Sequence, residues 1–315
     1  MQVHYDIDKL PLFTNSVITI GTFDGIHSGH HAILDQLIQE GHKHDGESVV
    51  ITFHPHPRKI IRTGEAPSLL TSIDERIALF QKKGIDHLVI VPFDLTFAEL
   101  SAEEYIDNFL VHYFHPKAIV IGFDHRYGKN RGGDYTLLKS KERILGYDVI
   151  EIPEFILNNS KISSTHIREA LLAGKVETAN SLLGYAYQLE GIVIRGDQLG
   201  RTIGFPTANL AITETEKLIP ATGVYAVSVF IKKGNQTIEK NGMMNIGYRP
   251  TVSGKERRIE IHLFDLNQDL YGLSLYAELK AFIRNEIKFS GLEELTAQLE
   301  KDKNTVLSFF EAQSK

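Results

Sequence analysis

The residues that point most directly to chemistry lie in one short turn after an apolar strand. Gly21–His30 reads GTFDGIHSGH and contains three glycines, with two histidines, His27 and His30, three residues apart. Glycines at a strand-to-helix junction let the backbone approach a phosphate, and a helix N-terminus offers unpaired N–H groups and a positive dipole end. Histidines beside such a turn can stabilise charge that develops during in-line displacement at phosphorus. The turn therefore indicates phosphoryl or nucleotidyl transfer.

Taken alone, a pair of histidines at this spacing more often belongs to the surface or to a structural metal site. Its position at the carboxyl end of the first strand favours ligand binding, because open α/β sheets bind ligands there. A P-loop does not account for phosphate binding: the nearest match, Gly122–Gly128, has five residues between its glycines and continues Lys129-Asn130. No G-x-G-x-x-G motif occurs either.

Three further stretches in the first half carry candidate binding residues. Residues 162–168, ISSTHIR, place Ser163, Ser164, Thr165 and Arg168 at a predicted helix start, which is a second anion site. Residues 52–58, TFHPHPR, and 122–128, GFDHRYG, each follow a strand and are candidates for an acceptor pocket. A rigid loop and a turn with solvated charges explain these last two stretches equally well.

The second half has its own glycine-rich segment. Gly191–Asn209 contains Gly196 and Gly204, which permit close approach to phosphates, and ends in Pro-Thr-Ala-Asn. Thr207 and Asn209 could present oxygens to a Mg²⁺ ion held mainly by water and substrate phosphate. A glycine-punctuated hairpin is the alternative interpretation.

An alternating strand, Arg258–Leu263, places Ile259, Ile261 and Leu263 on one face and Glu260 and His262 on the other. A polar face of this kind is usually just solvated. A carboxylate there could also act as general base toward a substrate hydroxyl, which is the role that a kinase requires.

The elements that position these residues differ between the two halves. Short Val- and Ile-rich runs alternate with helical spacing in the first half, and Ser72 with Glu75 and Ser101 with Glu104 form capping boxes. This predicts a doubly wound parallel α/β domain. Its strands are predicted at Val17–Ile20, Val49–Phe53, Leu88–Val91, Ala118–Ile121 and Val149–Ile152.

After Gly184 the pattern changes to alternation, as in Gly223–Ile231, which predicts an antiparallel β-barrel or sandwich. A third capping box, Ser290 with Glu293, opens a predicted C-terminal helix that packs on this β domain through Leu292, Leu295, Leu299, Val306 and Phe309. The change of period places the domain boundary near Gly184–Gln188, which gives domains of residues 1–186 and 187–315.

Composition excludes several classes of protein. With 315 residues, 34 Lys plus Arg and 40 Asp plus Glu, the net charge of −6 argues against general duplex binding. The lack of cysteine excludes disulfides, Cys-ligated zinc, iron–sulfur clusters and thiol catalysis. No secretory signal or apolar run of membrane-spanning length is seen. We therefore expect a cytoplasmic protein without nucleic-acid or membrane partners; the oligomeric state is left open.

Taken in chain order, the motifs resemble those of the bacterial bifunctional riboflavin kinase and FMN adenylyltransferase (FAD synthetase) family, over about Val17 to Phe310. The matching motifs are GTFDGIHSGHHAIL, TFHPHP, GFDHRYG, ISSTHIREALLAG, GRTIGFPTANL, GVYA, NIGYRPTV, EIHLFD and IRNEIKFSGLEEL. The resemblance implies two reactions: riboflavin and ATP give FMN and ADP, then FMN and a second ATP give FAD and pyrophosphate. ATP and Mg²⁺, riboflavin, FMN and FAD would thus be its small molecules.

The resemblance also implies roles for individual residues. His27, His30 and Glu260 would be catalytic, with Glu260 as base. The ATP site of the adenylyltransferase would comprise Gly21, Phe23, Asp24, Gly25, His27, Gly29, His30, Ser163, Ser164, Thr165 and Arg168. Its flavin would contact Asp124 and Arg126. The kinase would bind ATP through Gly196, Gly204, Thr207 and Asn209, with Mg²⁺ on Thr207 and Asn209, and flavin through Asn245, Arg249, Glu260 and Arg284.

The family commonly has an aromatic pair where this chain has His125 and Tyr127, so flavin stacking or acceptor preference would differ. Two other functions are weighed against this one. The first is an adenylyltransferase or cytidylyltransferase for another phosphorylated acceptor, with a non-catalytic barrel. The second is a flavin-binding regulator without turnover, against which the intact phosphate motifs argue.

Overall fold

The computed structural model describes residues 1–61, 67–154, 156–157, 160–234, 236–251 and 254–313. Contacts divide the chain into two units, Met1–Ser164 and Thr165–Lys315. This division groups the two helices that precede residue 187 with the second unit, and the boundary at residues 186 and 187 stays a prediction. No helix in the described part of the chain is long and apolar enough to cross a membrane.

The first unit is built on a parallel sheet whose strands are apolar runs buried on both faces. The strands are β1 (Gln2–His4), β2 (Val17–Ile20), β3 (Ser48–His54), β4 (His87–Pro92), β5 (Ala118–Gly122) and β6 (Asp148–Ile152). They lie in the order β1-β4-β3-β2-β5-β6. All five predicted strands are confirmed. The sixth strand, β1, is not predicted because its three residues are too few to show a hydrophobic pattern. A small hairpin follows, β7 (Ile156–Leu157) and β8 (Ser160–Lys161).

The strand order creates a topological switch point between β2 and β5. The chain runs from β2 through β3 and β4 on one side, and then returns to place β5 and β6 on the other side. Ligands of open α/β sheets bind at the carboxyl ends of the strands where the order reverses. The sequence motifs at residues 21–30 and 122–128 directly follow these two strands, so the fold brings both motifs to the same crevice.

Helices cover both faces of the sheet. They are α1 (Ser28–Lys43), α2 (Pro57–Ile61), α3 (Ile73–Lys83), α4 (Leu95–Ala98), α5 (Ala102–Glu104), α6 (His112–Phe114) and α7 (Tyr135–Leu145), with a π-helical segment at Tyr105–Val111. The capping boxes of Ser72 and Ser101 are confirmed at α3 and α5. Alternate strand residues feed two apolar cores, with Ile18 in one and Val17 in the other.

The second unit contains a closed antiparallel barrel. The sequence pattern predicts either a barrel or a sandwich, and the closed sheet shows that the barrel is correct. Its strands are β9 (Gln188–Ile194), β10 (Ala208–Ile212), β11 (Gly223–Lys233), β12 (Gln236–Thr251), β13 (Gly254–Leu263) and β14 (Ser274–Arg284). They close in the order β10-β13-β12-β11-β14-β9. Ile259 and Ile261 are buried, as the alternation predicts.

Helices α8 (Ser164–Leu172), α9 (Val176–Leu183), α10 (Leu199–Thr202) and α11 (Leu292–Gln313) complete the fold. The helix α11 packs on the barrel through the fully buried Val306 and the partly buried Leu299 and Phe309, as predicted. Leu292, the first residue of the helix, is 52% exposed instead. The predicted capping box of Ser290 with Glu293 is wrong. Ser290 donates its N–H and its hydroxyl to Glu294, each at 2.8 Å, because α11 begins only at Leu292 and Glu294 is its third residue.

Candidate active sites

The glycine-rich turn after β2 has an unusual backbone. Gly25 has a φ of 91°, which glycine adopts readily, but Phe23 (46°) and Ile26 (36°) also have positive φ. Such angles are costly for bulky and β-branched residues and persist only when the surroundings impose them. Phe23 is buried and packs edge-on against Phe80 at 5.5 Å. The turn is therefore held by tertiary contacts rather than by local preference.

Asp24 provides one of these contacts. Its carboxylate is buried and accepts hydrogen bonds from the backbone N–H groups of Leu70 (2.9 Å) and Thr71 (3.0 Å). The hydroxyl of Thr71 accepts from Gly25 N–H at 2.9 Å. This places the side chain of Asp24, a predicted ATP-binding residue, in the support of the turn.

His27 and His30 lie together at the start of α1. Their rings stack at a centroid distance of 3.7 Å, and Nδ1 of His27 accepts the backbone N–H of His30 at 3.4 Å as the helix N-cap. Because Nδ1 accepts, the neutral tautomer of His27 carries its proton on Nε2. Gly29 lies in the first turn between them.

Burial controls the charge of this pair. It lowers the pKa of His27 to about 4 and outweighs the opposing effect of Asp24, and it lowers the pKa of His30 well below 6.5 with help from His27. Nδ1 of His30 is buried without a hydrogen-bond partner among the described residues. At neutral pH the ligand-free turn thus presents two uncharged imidazoles and the N-terminus of α1.

The second predicted phosphate element begins where α8 begins. Ser164 is the first residue of the helix, and its hydroxyl donates to the backbone carbonyl of Asp24 at 2.8 Å. This bond joins the start of α8 to the glycine-rich turn. Ser163 directly precedes the helix, and Thr165 and Arg168 follow in its first two turns.

The loop after β5 carries the predicted flavin contacts. Asp124 is exposed, and Arg126 donates to Asp134 at 2.8 Å, a carboxylate that also caps α7. Phe123, which lies in the same candidate stretch but has no predicted role of its own, is 47% exposed beside Asp124. An exposed aromatic ring at the carboxyl end of a strand is a signal that sequence alone does not give, because it requires knowledge of burial.

The two residues that depart from the family pattern lie deeper in this loop. Tyr127 is buried, stacks on Tyr105 at 5.0 Å and donates its hydroxyl to the carbonyl of Asp134. Nε2 of His125 is buried without a hydrogen-bond partner in the described chain, and burial lowers the pKa of His125 to about 4. Tyr127 thus contributes to the core, which leaves Phe123 as the more exposed ring.

In the barrel, four predicted kinase residues fall in one cross-strand row. Glu260 of β13 is paired with Asn209 of β10 on one side and with Asn245 of β12 on the other. The row continues through Val224 of β11 to Arg284 of β14. Residues directly opposite in antiparallel strands share a face, with Cβ atoms about 5 Å apart. The fold therefore brings residues 75 positions apart in sequence into one row.

Thr207 and Asn209 belong to the Pro-Thr-Ala-Asn motif. Thr207 directly precedes β10, and Asn209 is the second residue of that strand. The side chain of Asn209 is buried against Gly196, where any Cβ would clash with the amide nitrogen of Asn209. Gly204 has a φ of 83°. His262, buried on β13, hydrogen-bonds the carbonyl of Pro206 through Nδ1 at 2.8 Å. This bond supports the turn that carries Thr207.

Two predicted flavin contacts of the kinase remain predictions. Arg284 binds the buried carboxylate of Asp302 through Nε (2.8 Å) and Nη2 (2.6 Å), and its Nη1 donates to the carbonyl of Asn285. It therefore ties β14 to α11. The side chain of Arg249 lies outside the described residues.

A cavity of about 520 Å³ lies beside the Pro-Thr-Ala-Asn turn. Its lining mixes apolar and polar side chains from the end of β13, the following loop and α11: Gly204, Pro206, His262, Leu263, Phe264, Asp265, Leu266, Asn267, Lys303 and Leu307. In the described part of the chain no group of three or more His, Cys, Asp or Glu side chains could hold a metal ion. A cation at this turn would rely on neutral oxygens and on the substrate.

Comparison with known proteins identifies each half. Residues 11–166 match the family model of FAD synthetase, and residues 183–310 match that of riboflavin kinase. A bifunctional riboflavin kinase/FMN adenylyltransferase of Escherichia coli K12 is 40% identical over 294 residues, which cover 93% of this chain and 92% of that protein. The chain belongs to the bifunctional riboflavin kinase/FMN adenylyltransferase family.

Other members support the same assignment. A protein of the same name from Bacillus subtilis strain 168 is 39% identical over 300 residues, 94% of this chain and 92% of that protein. A crystal structure of a protein called a macrolide-efflux protein, from Streptococcus pneumoniae, superposes with a TM-score of 0.88 at 31% identity, and covers 97% of this chain and 98% of that one. The match of residues 183–310 to riboflavin kinase argues against a barrel without catalytic function.

Proposed function

We propose that each of the two reactions of FAD synthesis runs at the site described in its own half of the chain. The α/β unit transfers the adenylyl group of ATP to FMN, and the barrel phosphorylates riboflavin. The observation that carries this proposal is the agreement between the two family models and the two separate clusters, His27 with His30 and Asn209 with Glu260 and Asn245.

In the adenylyl transfer, a phosphate oxygen of FMN attacks the α-phosphorus of ATP, and the bond to pyrophosphate breaks. The turn supplies backbone N–H groups, the N-terminus of α1 and the Nε2–H of a neutral His27. Donors fixed before the reaction stabilise charge that grows on the phosphoryl oxygens. A neutral imidazole can donate such a hydrogen bond while it keeps its proton. Nearby polyphosphate raises the pKa of the imidazole and so strengthens the hydrogen bond that it donates.

The acceptor flavin is placed at the loop after β5, next to the crevice at the switch point. Asp124 and Phe123 are both exposed there. The Phe123 ring offers an apolar surface for the isoalloxazine system, and Asp124 offers hydrogen-bond acceptors. Arg126 remains a proposed contact through the part of its guanidinium that does not bind Asp134.

In the kinase reaction, the terminal hydroxyl of the ribityl chain attacks the γ-phosphorus of ATP and ADP leaves. Glu260 accepts the hydroxyl proton. It lies between Asn209 and Asn245 in the cross-strand row, and these two amides can orient substrate on either side of it. A positioned carboxylate that accepts this proton fulfils the role of catalytic base.

Mg²⁺ fits the donors at this site. Thr207 and Asn209 offer neutral oxygens, and the ion prefers to keep water and substrate phosphates as its other ligands. When bound, Mg²⁺ neutralises charge on the phosphates of ATP. Gly196 leaves the space in which the side chain of Asn209 is held.

The adjacent cavity has the size and lining for the base of the kinase ATP. Its volume of about 520 Å³ and the apolar side chains of Leu263, Phe264 and Leu307 suit a purine ring. Asp265 and Asn267 supply polar groups at its edge. Because Pro206 lines this cavity, a base bound there would lie next to the turn that we propose for the phosphates.

We also propose a cytoplasmic location, which the lack of cysteine favours.

Chromatographic separation of riboflavin, FMN and FAD during turnover with ATP and magnesium tests the assignment. The double variant His27→Ala, His30→Ala is expected to accumulate FMN and make no FAD. The variants Glu260→Ala and Asn209→Ala are expected to make no FMN but to convert supplied FMN into FAD. If either set removes both activities from a folded protein, the assignment to two separate sites is wrong.

A further inference from the structure

The glycine-rich turn is held by two residues, Thr71 and Arg76, that belong to none of its phosphate-binding motifs. We propose that Thr71 and Arg76, which lie just before and within the first helical turns of α3, are positioning residues for ATP in the adenylyl transfer. This inference rests on the proposed function of the turn. Neither residue needs to touch ATP, because each acts through the backbone that binds it.

The turn requires such support. Phe23 and Ile26 have φ angles of 46° and 36°, in a region that side chains with a Cβ rarely adopt. A turn that binds phosphate through backbone N–H groups must have these groups aimed before the ligand arrives. Without external contacts, Phe23 and Ile26 would relax to negative φ, and the N–H groups between them would turn away.

Thr71 fixes the middle of the turn. Its hydroxyl oxygen accepts the N–H of Gly25 at 2.9 Å, and the same hydroxyl donates to Oδ1 of Asp24 at 3.3 Å. The backbone N–H groups of Leu70 and Thr71 donate to the carboxylate of Asp24. Gly25 and Asp24 lie between the two strained residues, so these bonds set the orientation of the peptides that connect them.

Arg76 fixes the beginning of the turn. Its side chain is only 3% exposed, and Nη1 donates to the carbonyl of Thr22 at 2.8 Å and to the hydroxyl of Thr52 at 3.1 Å. The Thr52 hydroxyl lies 3.2 Å from the same carbonyl of Thr22. The guanidinium thus joins the ends of β2 and β3. Nε is buried without a hydrogen-bond partner in the described chain, which is a cost in stability.

The start of α3 holds both residues in place. The capping box of Ser72 and Glu75 is complete, with bonds of 2.7 and 3.1 Å, and fixes the backbone on which Thr71 and Arg76 lie. Segment Leu70–Arg76 is therefore a rigid support, and it is separated from the turn by 46 to 54 residues of sequence. Loss of a single bond in this support shifts the turn relative to the α-phosphate.

The test compares kinetics of FAD formation from FMN in Thr71→Val and Thr71→Ser. Valine has the shape of threonine but removes the hydroxyl that accepts the N–H of Gly25, whereas serine keeps it. The expected result is a fall of about tenfold or more in kcat/KM for ATP in Thr71→Val, with most of it in KM, and rescue in Thr71→Ser to within about threefold of wild type. Arg76→Gln is expected to show the same loss, and Arg76→Lys a smaller one.

Ser16→Ala is the matched control. It removes a buried hydroxyl that donates to the carbonyl of Phe114 at 2.7 Å, at the opposite end of β2. It is expected to lower the melting temperature without changing kcat/KM. Riboflavin kinase activity, measured on the same preparations, is expected to stay at the wild-type level in all variants.

The proposal is overturned if folded Thr71→Val and Arg76→Gln both keep kcat/KM for ATP within about threefold of wild type. It is also overturned if Ser16→Ala loses as much kcat/KM as they do, since the effect would then follow stability alone. If Thr71→Val does not fold, Arg76→Gln decides alone, and a kcat/KM for ATP within about threefold of wild type in this variant overturns the proposal. Failure of the proposed function is distinguishable, because wild-type protein would then make no FAD from FMN at all.

Discussion

Protonation of His27 is expected to destabilise the α/β unit as the pH falls. The unfolded chain binds this proton near pH 6.5, but burial lowers the pKa in the folded protein to about 4. Between these values the unfolded state holds more protons, so the free energy of unfolding decreases as the pH falls from 6.5 towards 4. The structure adds a second reason: Nδ1 caps α1, and a proton on Nδ1 would remove the cap.

The size of the effect follows from the two pKa values. One pKa unit corresponds to about 1.4 kcal/mol, so a change from 6.5 to about 4 is worth about 3.4 kcal/mol in total. Between pH 7 and pH 5 the expected loss is about 2 kcal/mol, because at pH 5 the unfolded histidine is almost fully protonated and the folded one is not. The side chain is only 7% exposed, so solvent screening reduces this value little.

Urea denaturation of wild type and His27→Asn at pH 7 and pH 5 measures this loss. Asparagine keeps a helix cap but does not titrate. From pH 7 to pH 5, the free energy of unfolding is expected to decrease in both proteins, but by about 2 kcal/mol less in His27→Asn than in wild type. Titration of the imidazole by NMR gives the pKa directly. Equal pH dependence of the two proteins, or a pKa near 6.5, would refute the reasoning.

Three further outcomes are expected. Asp302→Ala leaves Arg284 without its buried partner and is expected to lower the free energy of unfolding of the barrel by about 3–5 kcal/mol, measured with urea. Phe123→Ala is expected to raise KM for FMN about fivefold or more in steady-state adenylyl transfer, because stacking on an aromatic ring is lost. His262→Ala removes the bond to Pro206 and is expected to raise KM for ATP in the kinase reaction by about tenfold, with adenylyl transfer unchanged.

Periodicity and turn chemistry are local signals, and they predict the elements well. Val17–Ile20 is confirmed to the residue, and the capping boxes at Ser72 and Ser101 begin helices as expected. Alternation also predicts which face of its strand Glu260 occupies. Its pairing with Asn209 depends on the register between β10 and β13, which the sequence does not show. Closure into a barrel likewise depends on pairing between distant strands.

The features that the sequence could not predict depend on contacts between elements that are distant in the chain. Arg76 carries no motif, and its bond to the carbonyl of Thr22 becomes visible only when β2 and α3 are adjacent. The flavin contact of Arg284 stays a prediction, but the bond of its guanidinium to Asp302 on α11 follows from no sequence signal. Ser290 failed as a capping residue because the helix begins two residues later, a shift within the usual uncertainty of helix ends.

Closure of the barrel has a consequence for how the kinase half can vary. In a closed sheet, a slip of one residue in any strand would have to be accommodated all the way around, so the pairing of Asn209, Glu260 and Asn245 is fixed by the whole circumference. The hairpin loops lie outside this constraint. Insertions or deletions between β11 and β12 are therefore expected to leave the pairing of Asn209, Glu260 and Asn245 unchanged.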